Sequence, residues 1–203
     1  MKYFLFDIGN VLLDFEFEKL LLALADGAGQ PVRPLSERDV VMHDAVETGD
    51  LSDEKWVEYL NETRGLSWTV DDLVGVWSGI FSTNETGRGL FRDAVAAGVP
   101  VHILSNIGGH HVDAIKSNWS GFFDGVAGLF LSYQIGLRKP DPAIYHHVLE
   151  HLDAEGSQCF FIDDRPENIE AALAEGINAH HFVPENHAAI RQAAAEFFGW
   201  AQG

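Results

Sequence analysis

The sequence predicts an α/β fold: a parallel sheet covered on both faces by helices, with a block of further helices inserted after the first strand. Three observations lead there. Short apolar runs lacking polar alternation recur along the chain, the signature of strands buried on both faces. Segments with apolar residues three and four apart separate them, as crossover helices require. Between about residues 15 and 84 the helical pattern repeats with no persuasive strand in between.

In chain order, YFLF at 3–6 is the first strand, and it runs into FDIGNVLLD, where Asp7 meets a glycine turn. The inserted block reads FEKLLLALADG, SERDVVMHDAVETG, SDEKWVEYLNET and TVDDLVGVWSGIF. Ser36, Ser52 and Thr69 precede acid-rich first turns, where a hydroxyl oxygen can accept from an orphan amide. Beyond the block, ETGRGLFRDAVAAG is a helix stopped at Gly98, VHIL at 101–104 the second strand, and GLFLS at 128–132 a weaker strand candidate. Pro140 is placed as the first residue of the helix in DPAIYHHVLEHL, because its missing N–H costs nothing there. QCFFI at 158–162, the helix ENIEAALAEG ending at Gly176, AHHFV at 179–183 and the helix ENHAAIRQAAAEFF complete the pattern. The expected division is a core of residues 1–14 and 85–203 and a helical cap of residues 15–84. Open α/β sheets bind ligands at the carboxyl ends of their strands, so an insertion after the first strand is placed as a lid.

Composition narrows the function classes. A chain of 203 residues can bury a full core without a staple. Its 31 acidic against 13 basic side chains give a formal charge of -18, which repels nucleic acids and anionic membrane surfaces. A small anion stays admissible, because a metal ion and one lysine can reverse the local sign. Cys159 is the only cysteine, so no intrachain disulfide forms and no zinc-type grouping exists. No apolar run suits a signal peptide or a membrane span. A cytoplasmic protein, monomeric or weakly dimeric, is the expectation.

The polar residues at strand ends carry the chemistry. Asp7 follows the first strand, and Asp163 with Asp164 follows the third in FFIDDRPEN. On adjacent parallel strands these carboxylates converge and repel, and an oxygen-only ligand set suits magnesium (Mg2+). Acids that merely close turns are the plainer alternative. Ser105 and Asn106 end the second strand in VHILSNIGG, where a hydroxyl and free helix amides can hold phosphoryl oxygens; LSN is equally an ordinary strand exit. Lys139 in GLRKPD, taken alone, is a solvated loop residue. Beside Asp7 it would neutralise a transferring group.

A carboxylate, a hydroxyl, a lysine and paired carboxylates, in that order on successive α/β units, resemble the haloacid dehalogenase-like hydrolase superfamily, built on a Rossmann-like sheet. FDIGNV is similar to its first motif, LSN to the second, the lysine of LRKPDPAIY to the third and FIDDRPENI to the fourth. The likeness spans essentially the whole chain, and the inserted helices resemble the small cap of one subgroup. DxGNV, GDLSDEKW, LSN and RKP are similar to cap-bearing sugar phosphatases of the glucose 1-phosphate type.

The resemblance implies a magnesium-dependent phosphatase acting on a small phosphorylated metabolite, a sugar phosphate. Asp7 would be the nucleophile that becomes an aspartyl phosphate. Asp7, the Gly9 carbonyl and Asp164 would hold the metal, with Asp163 as an additional or water-mediated ligand. Ser105 and the Asn106 backbone would bind phosphoryl oxygens, Lys139 would neutralise charge, and Asn168 would support the acidic loop. The departure is Gly9, which stands where the family carries a second aspartate for proton transfer. Such acid–base help is worth about 10²–10⁴-fold. A non-catalytic phospholigand- or partner-binding protein and a 2-haloacid dehalogenase therefore stay open. As substitute acids, His110 and His111 read as a helix-surface pair and His43 with Glu47 as surface polar residues. Asp14 reads as a structural or hinge-related residue near the start of the cap linker. His146, His147, His151, His180 and His181 lack a spaced partner for a transition metal, and Trp56, Trp68, Trp77 and Trp119 read as core.

Overall fold

Residues 1–200 are described by a computed structural model. The chain opens with β1 (Tyr3–Phe6) and the short β2 (Leu13–Asp14), then enters α1 (Phe17–Ala28), α2 (Glu37–Glu47), α3 (Asp53–Arg64) and α4 (Val70–Ile80). It returns through β3 (Ser82–Thr83) to α5 (Glu85–Ala96), β4 (Val101–Ser105), α6 (Gly109–Asn118), β5 (Val126–Leu131) and α7 (Ser132–Ile135). The last part comprises α8 (Pro142–Leu152), β6 (Cys159–Asp163), α9 (Pro166–Ala174), β7 (Asn178–His181) and α10 (His187–Phe198).

The main sheet runs β5-β4-β1-β6-β7, with every pairing parallel. The order reverses at β1, so the crevice of the fold opens at its carboxyl end, between β4 and β6. Phe6 pairs with Ile103 on one side and Ile162 on the other, which sets Asp7 level with Leu104 and Asp163. Because side chains alternate along a strand, Phe4 and Phe6 pack with Phe91, Ile103 and Ile162 on one face. Leu5 packs with Leu104, Ile144 and Phe161 on the other. Burying each such side chain stabilises by about 1.5–3 kcal/mol, so both layers hold the sheet that carries the site.

The four helices expected between residues 15 and 84 are present, and three of them start at the expected residue. Ser36 accepts from the Asp39 amide, Ser52 from that of Lys55 and Thr69 from that of Asp72. Gly98 and Gly176 follow their helices with φ of 73° and 76°, where a side chain would be strained. Leu24, Trp56, Leu60, Leu73 and Trp77 form a separate cap core. A buried ion pair, Arg64 to Asp39 at 2.5 Å, joins α3 to α2 and is completed by the Tyr59 hydroxyl, which donates to Asp39 at 2.9 Å.

Two chain crossings connect cap and core, and they pair as the antiparallel ribbon β2–β3. Asp14 there accepts from Asn84 Nδ2 at 2.7 Å, and the Asn84 carbonyl oxygen of the side chain caps α5. Asp14 thus ties both crossings together.

Three expectations need correction. His43 and Glu47 are not surface residues: their side chains are only 22% and 13% exposed. The helix after Lys139 opens at Pro142, capped by Asp141, and Pro140 lies outside it. His110 and His111 are not on the surface: they are 0% and 4% exposed. The cap's α4 packs across α6, so residues on that helix face a second layer that its own sequence does not announce. Among the described residues no helix is long and apolar enough to cross a membrane.

Candidate active site

The loop after β1 presents Asp7, 7% exposed, at the centre of the sheet's carboxyl edge. Lys139 reaches it from the loop before α8. Its Nζ lies 2.9 Å from Asp7 Oδ1 and 2.5 Å from Asp163 Oδ2, and donates to the Leu104 carbonyl at 2.9 Å. Lys139 is 2% exposed, so the solvated-loop alternative does not describe it.

Its placement has a specific cause. The Asn106 side chain accepts from the Lys139 amide and donates to the Lys139 carbonyl, both at 2.8 Å. A residue at the end of β4 therefore clamps the backbone of one more than thirty positions later. Ser105, on the same strand end, is 2% exposed, and Ser132 fixes the next turn by accepting from the Ile107 amide at 2.9 Å.

The two acids after β6 differ in environment. Asp163 is fully buried, and besides Lys139 it accepts from the Arg165 amide and from Asn168 Nδ2, each at 2.9 Å. The Asn168 carbonyl in turn accepts from the Tyr145 hydroxyl at 2.8 Å. Asp164 is half-buried and accepts from Asn10 Nδ2 at 2.9 Å. Asn10 adopts φ of 51°, a conformation asparagine tolerates better than most residues, and so turns its amide toward Asp164.

One oxygen each of Asp7, Asp163 and Asp164 lie within 4.8 Å of one another. Three carboxylates against one ammonium leave an excess of negative charge. Burial pushes the Asp7 carboxyl up to about 7; Lys139 opposes this, and the Asp163 and Asp164 charges add to it. Burial also raises Asp164. Burial alone would lower the Lys139 ammonium, but Asp163 and Asp7 outweigh it and hold it above its usual range. A divalent cation bound by oxygen atoms would relieve this excess, and among the described residues none donates to the Gly9 carbonyl. The donor set therefore fits a hard cation.

A cavity of about 240 Å³ lies between the loops after β1 and β4 and the cap helices. Gly9, Ser105 and Asn106 line its core side, and Phe15, Trp77 and Phe81 give it an apolar wall. Its polar side holds His43, Asp44 and Glu47 of α2, spanned by Arg138, which pairs with Asp44 at 2.7 Å and Glu47 at 2.8 Å. Cap and core thus meet through an ion pair one residue before Lys139. At Gly9, an added Cβ would sit 3.1 Å from Phe15 Cε1, so the ring stands where a side chain at position 9 would begin.

All the expected strand-end residues, Asp7, Gly9, Ser105, Asn106, Lys139, Asp163, Asp164 and Asn168, gather at this edge. Asn10, Phe15, Arg138 and Tyr145 join them unforeseen. Asn10 had a signal, as an asparagine directly after a glycine in a turn; the other three are brought in by packing between distant elements.

The haloacid dehalogenase-like hydrolase family model matches residues 1–176. The D-ribitol-5-phosphate phosphatase of Bacteroides thetaiotaomicron is 26% identical over 202 residues, covering 95% of this chain and 96% of that protein. The sesquiterpene phosphatase astK of Aspergillus oryzae is 36% identical over 97 residues, so the match spans 46% of this chain and about half, 47%, of that protein. Among solved structures, a haloacid dehalogenase family enzyme from Bacteroides thetaiotaomicron in a magnesium complex shares the fold, with a TM-score of 0.78 and 21% identity. That likeness covers 90% of this chain and 93% of the other.

Proposed function

Since this chain belongs to the haloacid dehalogenase-like hydrolases, we propose that it is a magnesium-dependent phosphatase of small phosphomonoesters, acting through an aspartyl phosphate on Asp7. The observation that carries the reading is the Lys139 ammonium held between Asp7 and Asp163 beneath a cap. Burial keeps the Asp7 carboxylate poorly solvated, and Lys139 holds one of its oxygens, leaving the other for attack on phosphorus. Ser105 and the amides after β4 face the same space and suit the phosphoryl oxygens. Asp7, the Gly9 carbonyl and Asp164 would hold Mg2+, with Asp163 adding charge from behind while it anchors Lys139. When bound, the ion supplies positive charge against the phosphoryl oxygens. Phosphoryl transfer draws most of its help from such positioning and electrostatics.

The cavity supports the substrate class. Its volume suits a small molecule, and the mixture of aromatic wall and charged cap residues suits a polyhydroxylated phosphate ester, a sugar or alditol phosphate. The D-ribitol-5-phosphate phosphatase among its relatives supports that reading. The test is phosphate release across a panel of phosphomonoesters with magnesium present. Release that vanishes in Asp7→Asn is expected; no release from any ester by folded protein would end the proposal. Gly9 favours one second reading, a protein that binds phospholigands without turning them over, and the same panel combined with binding measurements separates the two.

A further inference from the structure

The reaction just proposed moves a proton twice, and the loop carrying Asp7 offers no group for it. The leaving oxygen must gain a proton when Asp7 takes the phosphoryl group, and the water that later attacks the aspartyl phosphate must lose one. Gly9 has no side chain, Asp163 is fully engaged, and Lys139 is held as a cation between two carboxylates. The proton carrier has to come from elsewhere in the cavity.

Four further side chains that line the cavity can ionise as acids or bases near neutral pH or below it: His43, Asp44, Glu47 and His111. Asp44 and Glu47 are spanned by the two arms of Arg138, so each already has an oxygen taken up in a charge-assisted pair. His111 Nδ1 accepts from the Gly108 amide at 3.0 Å, so the neutral ring keeps its proton on Nε2 and has no lone pair to offer. Burial also holds His111 well below its ordinary range, with His110 and His43 adding to the effect.

His43 is arranged the other way round. Its Nδ1 faces Glu47 Oε1 at 3.8 Å, one helical turn along α2 and beyond hydrogen-bond distance, so the carboxylate lies on the Nδ1 side of the ring and Nε2 is the nitrogen turned away from it. That Nε2 is buried and has no partner among the described residues. A buried polar atom left unpaired costs about 1–3 kcal/mol, a cost that a ligand atom or water in the cavity would remove. The ring is set by Trp56 of α3 and His111 of α6, at centroid distances of 6.0 and 5.7 Å. Burial lowers the His43 imidazole from its ordinary value as it does that of His111; Glu47 and Asp44 on its own helix oppose this, while His110 on α6 and Arg138 add to it.

We propose that His43, oriented by Glu47, is the proton carrier of the site and does the work for which position 9 has no side chain. Water oxygen bonds to phosphorus as the bond from phosphorus to Asp7 oxygen breaks, and the water proton passes to His43 Nε2. Asp7 is restored as a carboxylate and inorganic phosphate leaves. The imidazolium then gives that proton to the leaving oxygen of the next ester as Asp7 attacks, which returns His43 to its neutral form and closes the cycle. The cap thereby brings part of the catalytic machinery with it, and Glu47 couples that part to Arg138 and so to the loop holding Lys139. This inference rests on the phosphatase reading.

The test uses the full chain and an aryl phosphate, whose leaving group needs no proton. In His43→Gln, turnover should fall by roughly 10²-fold or more, while acid-quenched protein carries a larger fraction of phosphoryl adduct than wild type, because water attack has become the slow step. His43→Ala should regain turnover with added imidazole. Glu47→Gln should lower kcat less and displace its pH profile. Turnover of His43→Gln within threefold of wild type, or a loss of turnover with no rise in the adduct and no imidazole rescue, overturns the inference while leaving the phosphatase reading intact. Wild-type protein that forms no adduct and releases no phosphate overturns both.

Discussion

Asn106 offers a prediction in which support can be separated from chemistry. Its amide makes two hydrogen bonds to the backbone of Lys139, each 2.8 Å long, and touches neither Asp7 nor Asp163. Asn106→Ala removes both bonds. At about 0.5–1.5 kcal/mol for each, folding stability should fall by roughly 1–3 kcal/mol. For a chain of this size that is a drop in Tm of roughly 2–4 °C per kcal/mol. Activity should suffer out of proportion. The Lys139 ammonium keeps its charge but loses the clamp that fixes its origin, and misplacing such a group by about 1 Å costs on the order of 10²-fold. Urea unfolding gives the first quantity, and initial rates of phosphate release well below the unfolding midpoint give the second. A variant destabilised as expected but within twofold of wild-type turnover would refute the clamp as a positioning device. A variant with unchanged stability would refute the hydrogen-bond accounting itself.

Other outcomes follow from the same geometry. Asp39→Asn breaks the buried pair with Arg64 and should cost about 3–5 kcal/mol in urea unfolding, since a guanidinium is left buried without its counter-charge. Burial alone would raise the Asp39 carboxyl, but the Ser36 amide, Arg64 and the Ser36 and Tyr59 hydroxyls outweigh it and hold it below the ordinary 3.8. Its contribution is therefore fully present above about pH 4 and fades as pH falls through the lower folded value, so the stability gap between wild type and Asp39→Asn should narrow in that acidic range. In a His43→Gln background, Gly9→Asp paired with Phe15→Leu, which clears the ring beside position 9, should raise turnover of esters with poor leaving groups at least about tenfold, and no gain there contradicts the assignment of proton transfer to that side of the site. Chelating divalent cations should abolish phosphate release and magnesium should restore it; release that survives chelation would contradict the metal's place in the site.

The sheet was legible because its strands are buried on both faces and leave uninterrupted apolar runs, and the acids at 7, 163 and 164 stood out as carboxylates directly beyond them. The cap was legible for a different reason. Ser36, Ser52 and Thr69 announce their helices locally, and hydroxyl capping depends on neighbours three residues away. What could not be read depends on contacts between distant segments. His110 and His111 look like an exposed polar pair until α4 is laid over them. Asn106 reads as a phosphate-side residue through its backbone, while its side chain turns to Lys139. The ribbon β2–β3 is only two residues long on each strand, too short for any periodicity, and Phe15 comes beside Gly9 through the path of the crossing rather than through a motif.

The account's central claim is that Asp7 itself takes the phosphoryl group. Acid quenching during turnover, followed by peptide mapping in a mass spectrometer, measures this directly. One phosphoryl adduct on the peptide containing Asp7, lost in Asp7→Asn together with phosphate release, is the result expected. Phosphate release that persists in Asp7→Asn, or an adduct mapped to any other residue, would contradict it.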